Sequence, residues 1–192
     1  MNYQDYIWDL GGTLLDNYET STAAFVHTLQ DFGLHASHDE VYKALKVSTE
    51  YAVRQFAPRN KEFLKAYKAN EAKELEHPIL FDGASELLAQ IIQQGGRNFL
   101  ISHRDDQVLE ILQKPQIDPY FTEVVTATNG FKRKPDPESM LYLKDKYQIE
   151  SGLVIGDRPI DIEAGQAAGF SCYLFDNMKN LEEFVDIELE KE

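Results

Sequence analysis

The spacing of apolar positions changes period several times along this chain, and each change marks an element. Tyr6-Ile7-Trp8 is a short unbroken apolar run ending at Asp9, which predicts a buried strand with a carboxylate at its tip. Beyond residue 16 the spacing becomes helical. Phe25, Val26, Leu29 and Phe32 share a face, with Thr20 and Ser21 as candidate N-caps and Gly33 as the stop. Ser37-His38-Asp39-Glu40 has the form of a capping box and opens a second helix through Val41 and Leu45. Pro58 and Asn60 interrupt the pattern, after which Lys61 to Glu76 carries Phe63, Leu64, Tyr67 and Leu75. Residues 17–77 thus read as a helical block without strand signals, inserted behind the first strand.

From Phe81 onward strands and helices alternate. Asp82-Gly83 leads into a helix with Leu87, Leu88, Ile91 and Ile92 on one face, closed by Gly95-Gly96. Asn98 to Ser102 is a strand, Gln107 to Gln113 a helix, and Glu123 to Thr126 a strand. Asp136-Pro137 starts a helix with Pro at its first position, running to Tyr147 with Met140, Leu143 and Tyr147 inward. Gly152 to Gly156 is a strand, Pro159 to Ala168 a helix stopped by Gly169, and Cys172 to Phe175 a last strand. Such alternation predicts an α/β fold: a doubly wound, Rossmann-like parallel sheet with helices on both faces. Ligands of these sheets sit beyond the carboxyl ends of the strands, where Asp9, Ser102 and Asp157 all stand.

A chain of 192 residues, 43% of them hydrophobic, can build one compact core and a small accessory domain. Eleven Phe and ten Tyr exclude a disordered acidic chain. The net charge of −14 repels a nucleic-acid backbone, and no basic run offers a footprint, so no nucleic-acid partner is expected. That charge also means an anionic substrate needs local cations and backbone donors to draw it in. The single Cys172 allows no internal disulfide, fits a reducing compartment, and lies in an apolar run that reads as packing. Met1-Asn2-Tyr3-Gln4-Asp5 lacks a signal-peptide pattern, and the apolar runs fall short of the roughly 20 residues that span a bilayer. A cytoplasmic protein with no membrane partner is expected, as a monomer or weak dimer. The acidic tail from Leu181 to Glu192 reads as a solvated helix, and no internal repeat is evident.

Four stretches carry candidate chemistry. Asp9 is placed to act as a carboxylate nucleophile, and Gly11-Gly12 behind it can bring backbone N–H groups close to an anion. Ser102 ends a strand with a hydroxyl and an expected free backbone N–H, suited to phosphate oxygens. Lys134, in Phe131-Lys132-Arg133-Lys134-Pro135-Asp136-Pro137, can set a cation against a transferring group. Asp157 and Asp161, at a strand tip and the turn after it, would form with Asp9 an oxygen-rich nest matching Mg2+. That ion would answer the problem of net charge.

In this order, Asp9 with Thr13, then Ser102, then Lys134, then Gly156-Asp157 with Asp161, the sequence resembles the haloacid dehalogenase-like (HAD) hydrolase superfamily over nearly its whole length. Residues 17–77 are similar to the small α-helical cap of its phosphoglycolate phosphatase-like branch. That leaves 1–16 and 78–192 as the core, with hinges near Asn17 and Pro78. The resemblance implies a phosphatase acting on a small phosphorylated metabolite. Asp9 would be the nucleophile, Ser102 would bind phosphate, and Lys134 would stabilise the phosphoryl group. Asp9, Asp157, Asp161 and the backbone carbonyl of Gly11 would serve magnesium. Gly11, Gly12 and His103 join Ser102 and Lys134 as phosphate-binding candidates.

One departure bears on mechanism. The family's phosphatases usually carry a second Asp two residues after the nucleophile as general acid and base, and here that position is Gly11. Losing a positioned acid–base typically costs about 10²–10⁴-fold, most for alkyl leaving groups and least for phenols or acyl phosphates. His103, beside Ser102, and His27 in the helical block are the candidates to replace it. Two other readings stay open. A carbon–phosphorus hydrolase would need a Schiff-base lysine among Lys43, Lys46, Lys61, Lys65 and Lys68, whereas a non-catalytic protein would use the pocket to sense phosphate. A dehalogenase fits poorly, because that branch uses no magnesium and both metal acids are kept. Tyr18, Tyr51, Arg54 and Arg104 are candidate rim residues.

Overall fold

Tyr6 and Trp8 point to one side of a sheet and Ile7 to the other, and all three are buried. They belong to β1 (Asp5–Trp8), the middle strand of five in the computed structural model, which describes residues 3–74 and 76–185. β2 (Arg97–Ile101) and β3 (Phe121–Val125) lie on one side of it, and β4 (Gly152–Gly156) and β5 (Ser171–Leu174) on the other. Every pairing is parallel, in the order β3-β2-β1-β4-β5. A strand order that reverses about β1 opens a crevice at its carboxyl end, and Asp9 is the next residue.

The two sheet faces carry separate apolar clusters. Tyr6, Trp8, Leu100, Leu153 and Ile155 pack with Leu87, Leu88 and Ile91 of α5 (Ala84–Gln93), Val108 and Leu112 of α6 (Gln107–Gln113), and Leu181 and Val185 of α9 (Met178–Val185). Ile7, Phe99, Ile101 and Val154 pack with Met140 and Leu143 of α7 (Glu138–Tyr147) and Ala164 of α8 (Pro159–Ala167). This is the doubly wound α/β core expected from the alternation.

The chain divides into two compact units, one made of the residues up to Leu15 and from Leu80 on, the other of Asp16–Ile79. The second unit holds α1 (Asn17–Asp31), α2 (His38–Val47), α3 (Thr49–Phe56) and α4 (Phe63–Glu74). Its core centres on Phe25, whose ring lies 4.9 Å from Phe63 and 5.0 Å from Tyr67 between centroids. The backbone N–H of Asp16 bonds to the carbonyl of Ile79 at 2.9 Å, tying the unit's entry to its exit.

Several local expectations need correction. Asp16 caps α1 by accepting the Glu19 N–H, so Thr20 and Ser21 lie inside the helix. The second helix is two, because Ser48 ends α2 in extended conformation while its hydroxyl caps α3 at Tyr51 N–H. Pro137 is the N-cap of α7 rather than its first residue, and Tyr147 is half-buried against Phe99. β3 begins at Phe121 and ends at Val125, and β5 spans Ser171–Leu174. Ile92 and Leu64 face solvent, being 41% and 43% exposed. α9 is amphipathic rather than solvated, since Met178, Leu181 and Val185 are buried. The rest of the acidic tail, Leu75 and the first two residues lie outside the described residues. No described helix is long and apolar enough to cross a membrane.

Candidate active site

β1 delivers Asp9 to the crevice with its N–H bonded to the Ile155 carbonyl at 2.9 Å, and the chain then coils tightly. The Leu10 carbonyl accepts N–H groups from Thr13, Leu14 and Leu15, while Gly12 N–H bonds back to Leu15. Gly12 takes φ +83°, and a Cβ there would run into the Asp157 carboxylate, so only glycine fits. Gly156 is fixed the same way, because a Cβ would collide with the Asp161 side chain. Gly11 forms a lone bridge to Leu15 and has no side chain to move a proton.

Asp9, Asp157 and Asp161 bring their carboxylate oxygens within 4.8 Å of one another. Lys134 lies among them, buried, with Nζ 2.5 Å from Asp9 Oδ1, 2.5 Å from Asp161 Oδ1 and 3.4 Å from the Ile101 carbonyl. Asp161 Oδ2 accepts the Arg158 N–H at 3.2 Å, at the start of α8. Its Oδ1 meets Lys134 as an ion pair but lacks a well-angled hydrogen bond, and Asp157 Oδ1 is buried without any partner. Three carboxylates against one ammonium leave the nest negative. Burial raises the Asp9 carboxyl, and Asp161 adds to this while Lys134 opposes it. Burial also lifts Asp157 to about 6, with the Asp9 and Asp161 charges adding to it. An orphaned Asp157 oxygen facing the carboxylates of Asp9 and Asp161, in an all-oxygen donor set, fits a hard divalent cation.

Ser102 is buried at the end of β2, but its N–H is not free. The parallel ladder continues one residue past the strand, and this N–H donates to the Val125 carbonyl at 2.9 Å. Its hydroxyl accepts the Arg104 N–H at 3.2 Å and keeps its own proton to donate. His103 Nε2 accepts the Lys134 backbone N–H at 2.9 Å, so its lone pair is already used and it cannot serve as the missing base. Burial, then the charges of Lys134, Arg133 and Arg158, push His103 down to about 4. His27 sits exposed on α1, 3.8 Å from Asp31.

The remaining candidates are placed as follows. Tyr18 stacks edge-on to Tyr42, with Lys46 over both rings, while Tyr51 and Arg54 lie on α3. Lys43, Lys46, Lys61, Lys65 and Lys68 are all exposed, so none has the desolvation that a Schiff-base lysine draws on. Burial pushes the Cys172 thiol up, in keeping with packing. Arg158 was not among the sequence candidates, yet its charge acts on Asp9, Asp157 and His103, and its place beside Asp157 was the available signal. The His103–Lys134 bond spans 31 positions and left no local signal.

The profile of haloacid dehalogenase-like hydrolases matches residues 6–175. A solved hydrolase from Streptococcus pneumoniae TIGR4 is 68% identical with a TM-score of 0.94, over 97% of this chain and 100% of its own. A phosphoglycolate phosphatase from Aliivibrio fischeri is 29% identical, over 88% of this chain and 81% of that protein. The pyrophosphatase PpaX of Oceanobacillus iheyensis is 25% identical over 88% and 81%.

Proposed function

The chain belongs to the haloacid dehalogenase-like hydrolase family, and from that premise we propose that it is a magnesium-dependent phosphatase of a small phosphorylated metabolite. The observation that carries this reading is Asp9, a buried carboxylate at the tip of the central strand, ion-paired to Lys134 beside Asp161 and beside Asp157, whose Oδ1 has no hydrogen-bond partner. Relatives named phosphoglycolate phosphatase and pyrophosphatase support the substrate class.

Asp9 attacks phosphorus, an Asp9–phosphorus bond forms, and the bond from phosphorus to the leaving oxygen breaks. Lys134 offsets charge on the transferring group, and the Ser102 hydroxyl donates to a phosphate oxygen. Water then attacks the aspartyl-phosphate, releasing phosphate and restoring Asp9. Asp9, Asp157, Asp161 and the Gly11 carbonyl would hold Mg2+, which when bound supplies charge neutralisation for the anionic substrate. Gly11 carries no acid, so the leaving oxygen takes its proton from water, and substrates with good leaving groups are turned over best. Residues 17–77 serve as the cap that sets specificity. The protein works in the cytoplasm as a monomer or weak dimer.

Release of 4-nitrophenol from its phosphate ester, with and without Mg2+, tests the reading, because this leaving group needs little acid. Magnesium-dependent turnover that disappears in Asp9→Asn is expected. The absence of a side chain at Gly11 favours one second reading, a phosphate sensor. It predicts tight phosphate binding and no turnover of any ester.

A further inference from the structure

We propose that His103 is a positioning residue for Lys134, holding its backbone through Nε2 so that the ammonium stays between Asp9 and Asp161. The role assigned to Lys134 rests on the phosphatase reading above.

Lys134 lies in the connection between Val125, where β3 ends, and Glu138, where α7 begins. That segment has one short 3-10 turn, Ala127–Asn129, followed by Gly130 in left-handed conformation. No strand or helix fixes the Lys134 backbone. A lysine side chain is long and rotatable, so an ion pair at its far end does not by itself hold the near end in place. The 2.9 Å bond from Lys134 N–H to His103 Nε2 does so, and ties the lysine to the end of β2. Lys134 is then gripped at both ends, by His103 at its amide and by Asp9 and Asp161 at its ammonium.

This bond requires a neutral imidazole with its proton on Nδ1. Burial and the cations facing His103, namely Lys134, Arg133 and Arg158, favour the neutral ring, and Asp161 opposes them more weakly. The cationic surroundings that make His103 a poor proton carrier therefore make it a dependable acceptor.

The test compares the full chain with two variants. His103→Leu keeps bulk and removes the acceptor, whereas His103→Gln keeps an acceptor at the reach of Nε2. With 4-nitrophenyl phosphate and Mg2+, His103→Leu should lose about 10- to 100-fold in kcat, the usual effect of removing a residue that orients a reacting one. KM should move by less than about threefold, because an interaction used mainly in the transition state is lost. His103→Gln should recover most of the loss. A leucine variant as fast as wild type would overturn the proposal. So would a glutamine variant that is folded by circular dichroism yet as slow as leucine. Nitrogen-15 NMR of labelled histidine gives a readout independent of turnover. The Nδ1–H tautomer is expected for His103, and an Nε2–H tautomer would sink the proposal even in an active enzyme. Absence of turnover in wild type would instead refute the phosphatase reading and leave the tautomer to decide the bond.

Discussion

Gly11 is where a single residue has the largest chemical consequence. If the missing carboxylate limits turnover, Gly11→Asp should raise hydrolysis of alkyl phosphates by about tenfold or more, a part of the roughly 10²–10⁴-fold that a well-positioned acid–base supplies. The ratio of alkyl to 4-nitrophenyl phosphate rates is the sensitive measure, since the phenol gains little from an acid. An unchanged ratio in a folded variant would mean that proton transfer is supplied from elsewhere. Asp9, Asp157 and Asp161 were legible in the sequence as candidates because each closes a strand or opens the segment after one, whereas Lys134 stood out only as the lysine before Pro135-Asp136-Pro137, late in the connection to α7. Two details at this scale were not. The Ser102 N–H is taken by Val125, and His103 is engaged by Lys134. Both depend on neighbours distant in sequence, one brought alongside by the sheet and the other by the connection after β3, at separations where periodicity says nothing.

Among the elements, the α2–α3 junction shows how one side chain divides a helix. Ser48 bonds back to the Ala44 carbonyl through its N–H and forward to the Tyr51 N–H through its hydroxyl. Losing such a cap costs about 1 kcal/mol. Ser48→Ala should therefore lower the thermal midpoint of the whole chain by roughly 2–4 °C, read by circular dichroism. β1, β2 and β4 were legible because apolar runs buried on both faces stand out, and Ser37 was legible because its capping box is local in sequence. Ser48 was not, because Val47 and Tyr51 continue the apolar spacing across it; both are exposed, at 67% and 39%. Pattern alone could not separate an apolar residue facing solvent from one in the core, as Ile92 and Leu64 also show.

At the scale of the whole molecule, the acidic nest should link stability to magnesium and pH. Asp157 ionises near 3.8 when unfolded and near 6 in the metal-free fold, so the fold holds an extra proton between those values. Its contribution is whole below 3.8 and is lost as pH rises through 6. Mg2+ needs the ionised form and should replace what is lost, by about 2.7 kcal/mol at a hundredfold excess over its Kd. The magnesium-induced rise in Tm should be larger at pH 7.5 than at pH 5 and should vanish in Asp161→Asn. A rise that ignored both pH and this variant would place the ion elsewhere.

The bond between Asp16 N–H and the Ile79 carbonyl has a consequence in time as well as space. β1 pairs Asp5 with Arg97, so β1 cannot join β2 until a long stretch of chain has looped back. The helical unit is built from nearer contacts and can fold first, presenting its two ends side by side. That shortens the loop left to close by nearly two doublings, or on the order of 1 kcal/mol of closure entropy. The insertion would then act as a folding accelerator for the sheet that surrounds it in sequence. Phe25→Ala, which empties the centre of the helical core, should slow formation of the sheet as followed by Trp8 fluorescence in stopped-flow refolding. If sheet formation kept its rate while the helical unit lost its structure, the two would be folding independently.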